Sequence, residues 1–209
     1  MYIAIEGTKG TGKSTLLNKL QLALLADGID FDMFSPTKAM PENMWWEQAY
    51  AAFANDDAYL DALYTARANY HAQNTNFNAP LVLGDRCMLT SFVSRWPNNP
   101  YELPEYIQKI KTKEHAVPMP DLVIYLDLPL ESTLKRLKNR ERNYGLKDER
   151  EDRLILAQQA YDEFFECKNE LGFSHLQYQY VNADANAEKV FNDVYALVIN
   201  SLENKEILQ

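Results

Sequence analysis

A three-layer α/β fold, with a parallel sheet of about five strands and helices on both faces, is predicted by three features of this 209-residue chain. Short apolar runs alternate with longer helical stretches from end to end, the pattern of successive βαβ units. The run Gly7-Thr8-Lys9-Gly10-Thr11-Gly12-Lys13-Ser14 fits G-x-x-x-x-G-K-[ST] between an apolar strand and a helix, as a phosphate-binding loop does. A hydrophobic content of 46%, with 12% aromatic residues, is ample for the core of one domain covering residues 1–209.

Tyr2-Ile3-Ala4-Ile5 reads as the first strand, and the helix from about Ser14 ends at Asp27-Gly28, a usual stop. Ile29 to Phe34 alternates as a second strand and completes a βαβ unit. Ser35-Pro36-Thr37-Lys38 breaks it, and Pro41 to Ala54 and Asp57 to about Gln73 read as two helices rich in aromatic residues. Ala79 to Gly84 is a short buried strand that delivers Asp85-Arg86 to its C-terminal end, where ligands of open α/β sheets gather. A helix from Cys87 to Arg95 follows, then a loop with Pro97, Pro100 and Pro104, and a helix from Glu105 to about Glu114. Within Asp121 to Asp127 the run Leu122-Val123-Ile124-Tyr125-Leu126 suits a central parallel position. Leu130 to Asn143 continues as a helix into a charged segment, Asp152 to Leu171 is another helix, His175 to Val181 an edge-like strand, and Asn186 to Glu203 a closing helix. No repeat, low-complexity tract or linker interrupts this order.

In a loop of this type the glycines let backbone N–H groups turn inward, and the following helix adds the partial positive charge of its N-terminus. Residues Gly7 to Thr15 therefore form the expected ATP-binding set, Lys13 reaching the β- and γ-phosphates and Ser14 ligating Mg²⁺. With that loop the fold is expected to be of the P-loop NTPase kind. Asp85 is placed to hold Mg²⁺, or to accept a proton from a substrate hydroxyl, and equally to cap the helix that follows it. Asp127 ends the next apolar strand, but Pro129 follows and no second acid does, so it ranks lower. Arg136, Arg140, Arg142, Arg150 and Arg153, with Lys135, Lys138 and Lys147, concentrate cations between two helices. Such a run is ordinarily a solvated helix face. Here a lid over about residues 138–152 is preferred, with Tyr144-Gly145 as its bend, because arginines closing over a donor stabilise the transferred phosphoryl group and exclude water. Arg136 is assigned to ATP binding, and Arg140 and Arg142 to catalysis beside Lys13 and Asp85.

The net charge of −9 argues against a nucleic-acid partner, which needs a basic face to displace counterions, whereas one local basic cluster suffices for a nucleotide. Cys87 and Cys167 are far apart and read as reduced thiols. No charged leader precedes an apolar run, and no segment approaches the ~18–20 apolar residues of a membrane span, so no membrane partner and a cytoplasmic location are expected. His71, His115 and His175 stand singly, without an acid or cysteine at metal or nucleophile spacing. The aromatics Trp45, Trp46, Tyr50, Phe53, Tyr59 and Tyr64 read as core more readily than as a base platform.

Ile5-Glu6-Gly7 into the phosphate loop, Arg67-Ala68, Gly84-Asp85-Arg86, and the run from Pro120 through Leu126-Asp127-Leu128-Pro129 resemble, in order and spacing, the thymidylate kinases. The similarity covers nearly the whole chain, and the segment Leu134 to Arg142 also resembles the arginine lid of the related deoxynucleoside kinases. The resemblance implies ATP as donor, Mg²⁺ as cofactor, a deoxynucleotide as acceptor and a homodimer. It implies that Arg86 bridges toward the acceptor phosphate, that Arg67 faces the nucleobase, and that Lys38, Leu63 and Thr90 complete the acceptor side. Lys38 stands where the family carries an arginine, keeping the charge and losing the bidentate fork. Leu63, four residues before Arg67, replaces a base-stacking phenylalanine; Lys9 replaces an acid near the acceptor sugar, and Ser94 an aromatic residue of the sugar site. The expected activity is phosphoryl transfer from ATP to a deoxynucleoside monophosphate, foremost dTMP to dTDP. A deoxynucleoside kinase acting on a 5′-hydroxyl is the alternative, with Asp85 as its base, and a non-catalytic nucleotide-binding regulator is a third reading. No N-K-x-D motif supports a guanine-reading switch.

Overall fold

The structure, a computed structural model, describes residues 1–94, 103–140 and 149–207. Five strands form one sheet: β1 (Tyr2–Glu6), β2 (Phe31–Phe34), β3 (Leu81–Asp85), β4 (Leu122–Asp127) and β5 (Gln177–Asn182). Every pairing is parallel, in the order β2-β3-β1-β4-β5. Parallel neighbours cannot be joined by a tight hairpin, so helices cross between them. These are α1 (Lys13–Ala26) after β1, α2 (Trp45–Gln48), α3 (Tyr50–Phe53) and α4 (Asp57–Gln73) after β2, α5 (Met88–Ser94) and α6 (Leu103–Lys113) after β3, and α7 (Leu130–Lys138) and α8 (Glu151–Cys167) after β4. Helix α9 (Ala187–Ile207) follows β5.

The two-residue period of a strand sorts the core into layers. On one face Ile3, Ile5, Leu81, Leu83, Leu122, Ile124 and Leu126 pack with Leu16, Leu17, Leu20 and Leu24 of α1 and Val190, Val194 and Val198 of α9. On the other, Tyr2, Ala4, Val82, Val123 and Tyr125 meet Phe92 of α5, Ile107 of α6, and Tyr161, Phe164 and Phe165 of α8. Glu6 falls on this second face by alternation and is fully buried there. A smaller cluster of Met40, Tyr59 and Leu63 lies under the segment that follows β2. Because β1 lies between β3 and β4, the chain's crossovers diverge at its C-terminal end, which opens a crevice where the loop Gly7–Gly12 begins.

The expected fold class and strand count agree with the observed sheet, β4 is interior and β5 is an edge. Several boundaries differ. The helix expected over Pro41 to Ala54 is two single turns with no buried residue, so too little apolar surface is covered to hold a continuous helix. The helix expected to reach Asn143 stops at Lys138, with Asn139 at φ −89° and ψ 6° closing it and three cations in its last turn. Helix α8 ends at Cys167 rather than Leu171, and β5 begins at Gln177 because it pairs there with Leu122.

Gly84 fixes how closely β3 can approach β1. A Cβ there would lie 2.7 Å from the Arg86 carbonyl oxygen, 2.9 Å from the Tyr2 ring and 3.2 Å from Ala4 Cα. Gly84→Ala is expected to destabilise the protein by about 3 kcal/mol, at the upper end for overpacking, because two of those neighbours are backbone. Urea unfolding of the variant checks this, and an unchanged midpoint would contradict it.

Candidate active site

Strand β1 delivers Glu6 and Gly7 to the crevice, and α1 begins six residues later at Lys13. Between them Gly7 and Gly12 hold φ of +140° and +95°, a conformation that side chains resist, and this lets the main chain double back. A Cβ on Gly7 would stand 2.9 Å from the Leu126 carbonyl oxygen, whereas nothing lies within 4 Å of one on Gly12. The loop is thus packed against β4 on one side and open on the other. Thr8, Thr11 and Lys13 are buried, Lys9 is half-buried, and Ser14 and Thr15 are exposed at the start of α1.

Lys13 Nζ donates to Gly7 O at 2.7 Å, Thr8 O at 2.7 Å and Thr11 Oγ1 at 3.1 Å, so the ammonium sits in the middle of the loop. Thr11 Oγ1 donates to Thr8 O at 3.0 Å and stiffens the same turn. Burial, with the Arg86 charge next, holds Lys13 well below the ordinary lysine range. Arg140 acts on it in the same direction, while Glu6 and Asp85 act against it. An anion at the loop would restore the charge that burial disfavours.

Arg86 follows Asp85 at the end of β3 and is the one non-glycine among the described residues with positive φ, at 77°. Such backbone costs about 1–3 kcal/mol and persists where surroundings dictate it. Here Arg86 N donates to Ile5 O at 3.1 Å, and Nη1 reaches Thr90 Oγ1 at 3.1 Å, Gly7 O at 3.5 Å and Glu6 Oε2 at 3.7 Å. The arginine is therefore drawn over the first residue of the phosphate loop. Glu6 anchors it from inside: its carboxylate also accepts from Cys87 N at 2.9 Å, Cys87 Sγ at 3.3 Å, Thr90 Oγ1 at 3.0 Å and the Tyr161 hydroxyl at 2.7 Å. Burial, reinforced by Glu6, pushes both the Cys87 thiol and the Tyr161 phenol well above their usual values, so both stay protonated donors.

The other expected residues differ in exposure and in partners. Asp85 is half-buried and paired in register with Ile5, while Asp127 is exposed. Burial, then Asp162, raises Asp127 above the usual carboxylate range. Arg136 Nη2 donates to Ala183 O at 2.8 Å, just past β5 on the same sheet edge. Arg140 is exposed beyond the end of α7; Arg142 and the residues 141–148 of the expected lid lie outside the described residues. Arg150 pairs with Asp152 at 2.7 Å on the surface. Lys38 is exposed, its carbonyl held by His71 Nε2 at 3.0 Å. Leu63 is fully buried against Met40 and Tyr59 and offers no surface to a base.

Arg67 is buried and carries an unanticipated partner. Its Nε and Nη2 donate to the two carboxylate oxygens of Glu47 at 2.7 and 2.6 Å, and Nη1 donates to Thr37 O at 3.4 Å. The rings of Tyr64 and Tyr50 lie 5.3 and 5.9 Å from its guanidinium carbon. Glu47 sits in an aromatic-rich stretch with no motif around it, and nothing in its spacing marked it. Glu6 and Tyr161 likewise carry no sequence signal of their contact, although Glu6 stands inside the run Ile5-Glu6-Gly7.

Gly12 leaves open space where N–H groups of the loop and of the α1 N-terminus can meet a polyphosphate, so these residues fit ATP. The exposed Ser14 hydroxyl and the carboxylate of Asp85 suit Mg²⁺, which takes few protein oxygens and completes its shell from phosphate and water. No group of three His, Cys, Asp or Glu residues able to hold a metal alone occurs among the described residues. No helix among them is long and apolar enough to cross a membrane.

The family model described as thymidylate kinase matches residues 5–194. A probable thymidylate kinase 1 of Saccharolobus solfataricus is 29% identical over 68% of this chain and 72% of its own. A probable thymidylate kinase of Thermococcus onnurineus is 26% identical over 97% of this chain and 98% of its own. The solved structure of deoxyadenosine kinase from M. mycoides with bound dATP shares the fold at a TM-score of 0.65 and 21% identity, covering 97% of this chain and 100% of that one.

Lys13 supplies a pH-dependent signature. Its folded-state proton affinity lies below that of the unfolded chain, so between the two values the unfolded state holds the extra proton and stability rises with pH. The unfolding free energy of the wild type minus that of Lys13→Gln is therefore expected to grow from pH 8 to 10. Denaturant titrations at several pH values check it, and a difference that shrinks would contradict the burial of the ammonium.

Proposed function

The chain belongs to the thymidylate kinase family and is a nucleoside monophosphate kinase, and we propose that it uses ATP with Mg²⁺ to phosphorylate dTMP to dTDP at this crevice. The observation that supports this most directly is the meeting of two cations at one backbone oxygen. Lys13 Nζ and Arg86 Nη1 both reach Gly7 O, at 2.7 and 3.5 Å, one rising from the phosphate loop and the other from the end of β3. Like charges that close raise the energy of the bare site, and a pair of phosphate groups brought between them lowers it.

In this reading the loop N–H groups and the α1 N-terminus grip the donor phosphates, and Lys13 stabilises negative charge as it spreads over the transferred phosphoryl group. Arg86 and Lys38 hold the acceptor phosphate, Thr90 steadies Arg86 through its hydroxyl, and Arg67 faces the base. Arg136, tied to Ala183, borders the donor nucleotide, and Arg140 with Arg142 of a lid over about 138–152 closes the site against water. Mg²⁺ held by Ser14 and Asp85 would neutralise charge on the phosphates. A phosphate acceptor is already ionised at neutral pH, so no strong general base is required. The kinase works as one domain and pairs into a homodimer, an assembly that sedimentation reads directly.

Two measurements test the reading. Lys13→Ala is expected to lower turnover by a factor of at least ~150, the loss of a ~3 kcal/mol electrostatic stabiliser. Near-normal turnover would remove the donor site from this loop. ADP release with ATP·Mg²⁺ and a panel of deoxynucleosides and their monophosphates is expected to show turnover with monophosphates, dTMP foremost. Turnover with nucleosides alone would replace the proposal with a 5′-hydroxyl kinase, and none with either would replace it with a binding protein.

A further inference from the structure

We propose that His71 is a positioning residue for the acceptor's phosphate group: it holds the carbonyl of Lys38 and so fixes the turn from which the Lys38 ammonium reaches the crevice. The inference rests on the acceptor-side reading above, in which Lys38 grips that phosphate.

Phe34, the last residue of β2, pairs in register with Gly84, two residues before Arg86. The chain therefore leaves β2 at the sheet edge where Arg86 stands. Ser35-Pro36-Thr37-Lys38 then closes a tight turn, Lys38 N donating to Ser35 O at 3.1 Å with the fixed φ of Pro36 at its second position. Phe34 is buried before this turn and Met40 after it, whereas Lys38 and Ala39 between them are exposed. Apolar packing thus anchors both ends of the segment and leaves its middle to hydrogen bonds.

These come from α4 and the residues just beyond it. Arg67 and His71 stand four residues apart and so share one face of the helix. Arg67 Nη1 donates to Thr37 O at 3.4 Å, His71 Nε2 meets Lys38 O at 3.0 Å, and Thr75 Oγ1 lies 3.2 Å from Met33 O. A carbonyl oxygen only accepts, so Nε2 of His71 carries a proton, as it does in one neutral tautomer and in the cation alike. The Tyr70 ring stands edge-on to the imidazole, 5.2 Å away between centroids. The Lys38 ammonium itself has no hydrogen bond or ion pair among the described residues. Its charge rides on a flexible four-carbon stem, so where it can reach depends on how its backbone is held. Without the His71 bond the exposed Lys38 carbonyl would turn to water, and part of the phosphate's binding energy would go into ordering the turn. Only ligands that carry the phosphate would feel this.

The test is steady-state kinetics of wild type, His71→Gln, His71→Asn, His71→Phe, Lys38→Ala and the doubles that add Lys38→Ala to the Asn and Phe variants. Two constants are read at saturating ATP·Mg²⁺: the KM for dTMP, and the inhibition constant of thymidine, which lacks the phosphate. The Gln amide nitrogen can stand where Nε2 stands, Asn is one methylene shorter, and Phe keeps a ring without the donor. The Phe and Asn variants are expected to raise the dTMP KM about five- to tenfold, the scale of one hydrogen bond, and Gln less than about twofold. In all three, kcat and the thymidine constant should move less than about twofold, as for lost phosphate binding alone. Lys38→Ala should raise the dTMP KM by about tenfold or more, and either double should be less than about twofold worse than Lys38→Ala. A His71 that merely stabilised the fold would lower the melting temperature, shift the dTMP and thymidine constants together, and cost as much without Lys38 as with it. That pattern overturns the proposal, as does a dTMP KM left unmoved by Phe and Asn. Should the Phe variant fail to fold, Asn against Gln carries the same comparison. Lys38→Ala separates the two readings. A raised dTMP KM there, beside unaffected His71 variants, overturns the proposal alone. An unchanged one removes Lys38 from the phosphate and the proposal with it, as would turnover of nucleosides only by the wild type.

Discussion

A carboxylate with no access to water holds this site together. Glu6 ends the central strand one residue before the phosphate loop and faces the layer built from α5, α6 and α8. Leaving such a charge unpartnered would cost several kcal/mol, so its surroundings are constrained by what can hydrogen-bond it. Four neighbours do so: the Cys87 N–H and thiol, the Thr90 hydroxyl and the Tyr161 phenol, with Arg86 at 3.7 Å supplying the opposite charge. These come from the β3–α5 junction, from α5 and from the middle of α8. One buried acid therefore registers the loop, the arginine and the helix that follows the arginine-rich segment against one another.

The backbone strain at Arg86 makes sense against that constraint. Positive φ turns the chain sharply after β3, so that Arg86 Nη1 reaches back over Gly7 while its neighbour's N–H meets Glu6. Gly84 allows β3 to lie close enough to β1 for this reach, since any Cβ would strike the Arg86 carbonyl and Ala4. The gain is a guanidinium and an ammonium placed together at the start of the loop. Burial first, and then the Arg86 charge, lower the proton affinity of Lys13, and a polyphosphate placed between the two cations would relieve their repulsion. The acidic balance of the whole chain does not oppose this, because the field in a crevice is set by the nearest charges and the low dielectric around them.

How much of this the sequence disclosed follows from which interactions are local. The phosphate-loop motif is a run of consecutive residues, so Gly7 to Ser14 stand out as a local pattern, and β1, β4 and α4 followed from period and apolar content. Boundaries differ where burial is slight: α2 and α3 hold no fully buried residue, and α7 stops where Asn139 turns the chain out of helix. The acceptor side was legible only as single residues. Arg67 could be named, but its partner Glu47 lies twenty residues away on another element, and no periodicity links them. Leu63, named for the same side, proved to be core, because a leucine one helical turn from Arg67 on α4 serves the Met40 cluster as well as it would serve a base.

This division has a physical origin. The donor end is the same polyphosphate for every nucleotide, so backbone N–H groups on the rigid edge of the sheet suffice, and nearly any change there is felt by the core of β1, β3 and β4. Telling bases apart requires side chains, and those proposed for the acceptor stand on the segment after β2 and on one face of α4. Trp45, Tyr50 and Phe53 there are exposed, and the pair Arg67–Glu47 ties α2 to α4. A region with few buried contacts can exchange side chains at small cost to global stability. Residues on the proposed acceptor side can therefore be exchanged while the sheet, the loop and the buried Glu6 remain as they are.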